Sequence, residues 1–244
     1  MPLPATFLTH LQTAGYHSRS DKHSKAIAAA IVIDLMTHCP KIAAEAAAGA
    51  LVFDYNVELL FGHSRWRTDL AIGPPPPGAV EKATVAVAGM LQATPAWTRI
   101  AVEAKSVMTK HTGQRKNRKR DLEAHHQHVH DYDGKAIAAS VTVVNAAAQF
   151  YSPVPPPGIR IHKDPLRLAK LVVDEVENVT VSSRSNPVGL DAKCALVVDM
   201  ENIPLLTGDY DVSYLDKPPA PKVGTPVHWD SFLQRICEVY NERY

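Results

Sequence analysis

Apolar residues crowd positions 24–38, where Ala, Ile, Val and Leu follow the capping chemistry of Ser20 and Asp21 and stop before Pro40, so the pattern predicts a helix there. A second helix is expected over 41–52. From Trp66 to Gly73 the bias is that of a strand, ended by Gly73 and four prolines that cannot continue a ladder. Residues 79–93 are ambiguous: Val80, Val85 and Val87 fit a strand, while the Ala, Met and Leu content tips the expectation towards helix. β-Branched content marks a strand over 98–107, charge and length mark an exposed helix over 114–130, and Ala136 to Asn145 forms a second buried strand. Strand, helix, strand at this spacing suggests a crossover unit and therefore an α/β fold. Beyond it lie a rigid proline linker at 153–158, a helix over 164–175, a strand over 193–200, a proline-rich loop at 218–226 and an amphipathic helix over 228–242. On that last helix Trp229, Phe232, Leu233, Ile236 and Tyr240 recur at helical spacing, as core packing or a dimer interface requires.

Composition narrows the class. The chain has 244 residues, 45% hydrophobic and 21% charged, which suits one globular domain and excludes disorder, collagen and coiled coil as its main state. The proline loops are short and no internal repeat is visible, so they serve as connections within that domain. The longest apolar stretch, Ala26 to Met36, contains Asp34 and is far shorter than the roughly 20 residues that cross a bilayer. No membrane role is expected, and the start Met1-Pro2-Leu3-Pro4 lacks the pattern of a secretory signal, so the expectation is a cytoplasmic protein. Cys39, Cys194 and Cys237 are odd in number and widely spaced, which points to buried thiols.

Net charge is only +1, but it is unevenly spread. From Ala104 to Arg120 there is no acidic residue, while Lys105, Lys110, Arg115, Lys116, Arg118, Lys119 and Arg120 are basic and His111 can join them. That density suits a polyanion, although a solvated helix face has the same composition. Two strings carry chemistry: Arg67-Thr68-Asp69-Leu70-Ala71-Ile72-Gly73 and Ile100-Ala101-Val102-Glu103-Ala104-Lys105. On a strand Glu103 and Lys105 share a face, and pairing with the Asp69 strand would bring two carboxylates together. Such a pair suits a hard divalent cation that keeps part of its water, with Mg2+ the natural choice and Mn2+ a substitute.

An Asp followed at a distance by Glu-x-Lys on an apolar strand resembles the PD-(D/E)XK nuclease superfamily, which includes most type II restriction endonucleases. The resemblance covers about residues 58–150 and takes in the basic helix and the strand Ala136 to Asn145. It implies a restriction-endonuclease-like mixed central β-sheet flanked by helices, with an N-terminal helical part to about residue 60 and a C-terminal part over about 159–244 for recognition or dimerisation. Carried over, Asp69, Glu103 and Lys105 form the catalytic set, the Ala104 carbonyl is a further metal ligand, and Glu58 is the auxiliary acid, with Glu45 behind it. Two departures stand beside the match. Thr68 replaces the nominal Pro, and 34 residues separate Asp69 from Glu103, which requires an insertion and leaves Asp54 as the next choice for the acid. The implied activity is Mg2+-dependent hydrolysis of double-stranded DNA to 5′-phosphates by a homodimeric restriction enzyme with a companion methyltransferase. A nuclease subunit of a larger anti-phage complex, a modification-dependent nuclease and a non-catalytic DNA-binding protein of the same fold are the alternatives.

Other clusters are weaker. His126 and His130 are four apart and could share a zinc ion, but no further ligand set is obvious, and DNA contact from that helix is the better expectation. His17, Arg19, Asp21, Lys22 and His23 suit a solvated cap more than a phosphate site. Gly189 to Ala192 and Asp199 to Asn202 frame a strand as base-reading loops or as turns.

Overall fold

The structure, a computed structural model, describes residues 3–109, 111–183 and 188–244, leaving out the side chains of Ser64, Thr112 and Arg115. Its elements in chain order are α1 (Ala5–Ala14), α2 (Lys22–His38), α3 (Pro40–Ala47), β1 (Val52–Phe61), β2 (Ser64–Gly73), β3 (Ala86–Val87), β4 (Met90–Gln92), β5 (Ile100–Val107), α4 (His111–Tyr132), β6 (Ile137–Asn145), β7 (Gln149–Ser152), β8 (Gly158–Ile161), α5 (Pro165–Glu177), β9 (Ala192–Pro204), β10 (Tyr210–Tyr214) and α6 (Trp229–Arg243). Eight strands form one sheet in the order β10-β9-β6-β5-β2-β1-β4-β3, and β7 and β8 form a separate hairpin. The sheet is mixed: β5, β6 and β9 run parallel, while β2 is antiparallel to β5 and β1 to β2. The fold is therefore α/β, a large mixed central sheet with helices on both faces.

Two crossovers build the parallel centre, β5-α4-β6 and β6 through α5 to β9. All nine residues of β6 are buried, as expected of a strand covered on both faces. Alternation along β5 divides the layers. Ile100 and Val102 join the core under α2 and α6, whereas Ala101 joins Ala138, Leu122 and Val129 under α4. Small residues at 101, 136 and 138 let α4 lie close to the sheet. A third cluster, with Val144, Val172 and Val197, seats α5.

Several helices follow their capping chemistry. Pro165 opens α5 behind Asp164, whose carboxylate accepts the Arg167 amide at 3.3 Å, and His228 Nδ1 accepts the Asp230 amide at the start of α6. At α2 the Ser20 hydroxyl accepts the Lys22 amide, while the Asp21 side chain caps nothing.

The differences from expectation are instructive. Helix α3 ends at Ala47, residues 48–51 turn the chain, and a long strand, β1, starts at Val52, the last position expected for the helix. Residues 79–93 contain no helix; the short strands β3 and β4 edge the sheet there, so its valines follow strand chemistry. Residues 153–157 are the turn of the β7–β8 hairpin and Gly158 already belongs to β8, β9 runs on to Pro204, and β10 and α1 complete the fold. The α6 stripe is buried in this chain's own core, Trp229, Phe232, Leu233, Ile236 and Tyr240 all at 0% exposure, so it is not a dimer interface. The buried-thiol expectation holds for Cys194 only: Cys39 and Cys237, 198 residues apart, form a disulfide that ties the α2–α3 junction to α6. Spacing along the chain does not report such a tertiary neighbour. Among the described residues no single helix is long and apolar enough to cross a membrane.

Candidate active site

Antiparallel pairing of β2 with β5 runs Ile72 to Ile100, Ala71 to Ala101 and Leu70 to Val102, and stops there. Gly73 starts this register because its backbone lies against the Trp97 carbonyl, where an added Cβ would be 2.0 Å from the oxygen. Continued by one step, the ladder would set Asp69 opposite Glu103. Instead the strands part, and side chains bridge the gap. The Thr68 hydroxyl donates to the Val102 carbonyl at 2.9 Å, and Asp69 Oδ2 accepts the Ala104 amide at 2.8 Å. Amide and carbonyl of one strand residue point the same way, so the Ala104 carbonyl also faces the side from which β2 has withdrawn.

Asp69, Glu103 and Lys105 line one cavity of about 250 Å3, together with Tyr16, Ser106 and Arg118. Burial raises the Asp69 carboxyl above the ordinary Asp range, against the Ala104 hydrogen bond and the Lys105 charge. Burial also pushes Glu103 up to about 7, against the attraction of Lys105 and with the help of the Asp69 charge. Lys105 Nζ donates to Glu103 Oε1. Glu103 Oε2 is buried and has no hydrogen-bond partner.

Its nearest ring, His125 Nδ1, is 3.9 Å away and already engaged, since the Trp66 indole N–H donates to it at 3.2 Å. The proton of His125 therefore sits on Nε2, which faces the Ala101 carbonyl at 3.4 Å. Full burial lowers this ring to about 3, so it stays neutral and offers Glu103 neither charge nor proton.

A divalent cation fits this donor set. Two carboxylates converge, one with an orphaned oxygen, and a backbone carbonyl faces the same gap; Mg2+ is commonly held by one or two carboxylates with water completing the shell. Among the described residues no group of three or more His, Cys, Asp or Glu side chains gathers to hold a metal. That includes His126 and His130, where His130 instead meets Asp191 at 3.3 Å.

The auxiliary acids lie elsewhere. Glu58 is exposed on β1, paired with Arg67 at 3.2 Å, and it stands on a strand where the resemblance implies a helix. Glu45 binds Arg99 and the Tyr240 hydroxyl, joining α3 to α6. Asp54 accepts from Gln92 and Thr94 and fixes the β4 edge. None of the three lines the cavity.

The basic run divides in the same way. Lys110 lies outside the described residues, as does the side chain of Arg115. His111 is not a DNA contact: it is buried, its Nε2 lies 2.7 Å from the Asn145 carbonyl oxygen, and its ring packs edge-on against His162. Lys119 turns to Glu123 and Glu175, away from the site, while Lys116 and Arg120 are exposed. Arg118 lines the cavity and is held by Asp121 at 2.7 Å.

The opposite wall is a part of the site that sequence reasoning passed over. Tyr16 stacks on His23 with ring centres 4.6 Å apart, and its hydroxyl is 2.5 Å from Ser106 Oγ. Asn202, at φ 58°, receives the Tyr16 amide and donates to the Tyr16 and Tyr151 carbonyls, sewing this strap to β9 and β7. The polar cluster before α2 was the signal, but only the fold brings it beside β5. Asp191, by contrast, is buried in an ion pair with Arg243 and is no base-reading residue.

No family model, no curated protein and no solved structure matches the chain.

Proposed function

We propose that the protein is a Mg2+-dependent double-stranded DNA endonuclease of restriction-endonuclease-like fold, with Asp69, Glu103 and Lys105 as its catalytic residues. The observation that carries the reading is the parting of β2 from β5 at two carboxylates, one of which keeps a buried oxygen without a partner beside a lysine. Asp69, Glu103 and the Ala104 carbonyl are the groups that would hold the cation. Bound there, Mg2+ or Mn2+ supplies polarisation of a phosphoryl oxygen and acidification of water. Asp69 is oriented for this by the Ala104 amide, and Glu103 must give up its proton, which its pKa of about 7 allows in mildly alkaline solution. Lys105, its side chain 21% exposed at the cavity, holds a positive charge where negative charge grows during phosphodiester hydrolysis. Arg118 is the α4 side chain placed to meet a phosphate at the cavity, whereas Lys116 and Arg120, about 160° away from it around the helix, add positive charge at longer range, an attraction that weakens with salt.

The product ends are 5′-phosphates, and a homodimer would cut both strands of a symmetric site. Restriction of foreign DNA, with a companion methyltransferase protecting the host, is the setting this chemistry suits. It sets the protein in the cytoplasm, where Cys39 and Cys237 would meet a reducing poise. The test is incubation of the purified chain with unmodified phage DNA in Mg2+, beside EDTA and Asp69→Ala. Discrete fragments lost in both controls are expected. Cleavage that survives Asp69→Ala, or none of any DNA, overturns the reading.

A further inference from the structure

Beyond Asp69 the sheet continues as a ribbon of two strands. β1 and β2 pair with each other from Val57 and Thr68 out to Phe61 and Ser64, whereas β2 meets β5 only at Leu70 to Ile72 and β1 meets β4 only at Val52 and Phe53. The arm therefore leaves the sheet at the point where the catalytic carboxylate stands. Its two faces differ. Leu59, 3% exposed, packs with Leu122 and Val129 of α4, and Trp66, its cross-strand partner, stacks on His128 with ring centres 4.5 Å apart. The inner face is thus filled. By strand alternation the outer face carries Glu58, Leu60, Arg65 and Arg67, and all four are exposed.

The same alternation puts Arg65, Arg67 and Asp69 on one side of β2, so the two guanidinium groups form a row that starts at the catalytic site. The row advances by roughly 7 Å per arginine, of the order of one nucleotide step, so a strand with one phosphodiester at Asp69 offers its next phosphates to Arg67 and Arg65 in turn. Two positive charges on this face stand against the single carboxylate of Glu58. The Glu58–Arg67 pair, at 3.2 Å with side chains 45% and 65% exposed, is a surface ion pair of little worth. A phosphate, which an arginine can take with two parallel hydrogen bonds, displaces that carboxylate.

We propose that the outer face of the β1–β2 arm binds the backbone of the nucleic-acid substrate, with Arg67 and Arg65 on successive phosphates to one side of the cut. The inference rests on the nuclease reading for the place of the cut, and it makes Glu58 a partner that tunes Arg67.

The test follows binding of a fluorescent DNA duplex of arbitrary sequence in EDTA as salt is raised. Arg65→Ala/Arg67→Ala should weaken binding equally for unrelated sequences and make the slope of log K against log salt shallower by about two. Arg167→Ala/Lys170→Ala, which takes the same charge from exposed positions on α5, should leave the slope near that of the unaltered chain. Glu58→Gln, which frees Arg67, should tighten binding and keep cleavage in Mg2+. An unchanged slope in the Arg65/Arg67 variant, an equal change in the α5 variant, weaker binding by Glu58→Gln, or no binding at all overturns the arm. The assay runs without cleavage, so a chain that shows the slope change and yet cuts no DNA in Mg2+ leaves the arm in place and overturns the nuclease reading.

Discussion

Two buried carboxylates on the α4 side of the sheet have opposite fates. Asp191 immediately precedes β9 and Glu103 lies in β5, and both are almost closed to solvent. Burial pushes Asp191 up, but hydrogen bonds from His130, Arg243 and Ser182 outweigh it and hold the carboxyl at about 2. Arg243 contributes two contacts, at 2.5 and 3.1 Å, and the Ala138 amide a further one. Glu103 has Lys105 on one oxygen and nothing on the other, so burial prevails and the group rises to about 7. Equal burial thus gives a satisfied anchor in one place and an unsatisfied acid in the other. The difference lies in the number of donors, and it leaves on Glu103 the open acceptor oxygen that the proposed cation would take up.

The comparison breaks first at activity. Asp69→Ala removes a carboxylate from the proposed cation site and should lower DNA cleavage by on the order of 10³-fold or more, measured as initial rate at saturating Mg2+. Asp191→Asn should leave the catalytic groups in place and reduce stability instead. Stripping the partner of the partly buried Arg243 should cost about 3 kcal/mol, read as a lower urea midpoint.

The pH dependence should have opposite signs at the two sites. The Glu103 carboxyl is raised from 4.5 to about 7 in the folded chain, so the folded state binds the extra proton between those values. Its stabilising contribution is complete below pH 4.5 and is lost as pH rises through 7, a swing on the order of 3 kcal/mol. Glu103→Gln should flatten that fall in cation-free urea titrations. Asp191, lowered from 3.8 to about 2, contributes stability above pH 3.8 that is lost as pH falls through 2, and Asp191→Asn should remove that acid limb. The smallest effect is expected from Thr68→Val. It deletes the buried bond to the Val102 carbonyl that spans the parting strands, for about 1 kcal/mol of stability and a modest loss of cleavage rate.

The site was legible where chemistry is local. Glu103 and Lys105 share a strand face by simple alternation, and the Asp69 string reads as a strand ending in Gly73, so the trio and its sheet followed from the chain. The long gap after Asp69 holds the proline loop and the edge strands β3 and β4, as an insertion should. Strand β1 escaped notice because the expected helix was carried on through Gly49, whose φ of 71° turns the chain after α3 and before Val52, and with it went the true surroundings of Glu58 and Asp54. Charge density alone could not separate Arg118, which reaches the cavity, from His111, buried against a carbonyl, or Lys119, paired towards α5. The Tyr16 strap, the Asp191 network and the Cys39–Cys237 bond join residues far apart in sequence, and no spacing rule encodes them.

The most direct test of the difference between the two carboxylates is thermal melting of the purified chain at pH 8 in EDTA and in excess Mg2+. The account predicts a Mg2+-dependent rise in Tm for the unaltered protein and for Asp191→Asn, and none for Glu103→Gln. A rise of equal size in Glu103→Gln, or no rise in the unaltered protein, would contradict it.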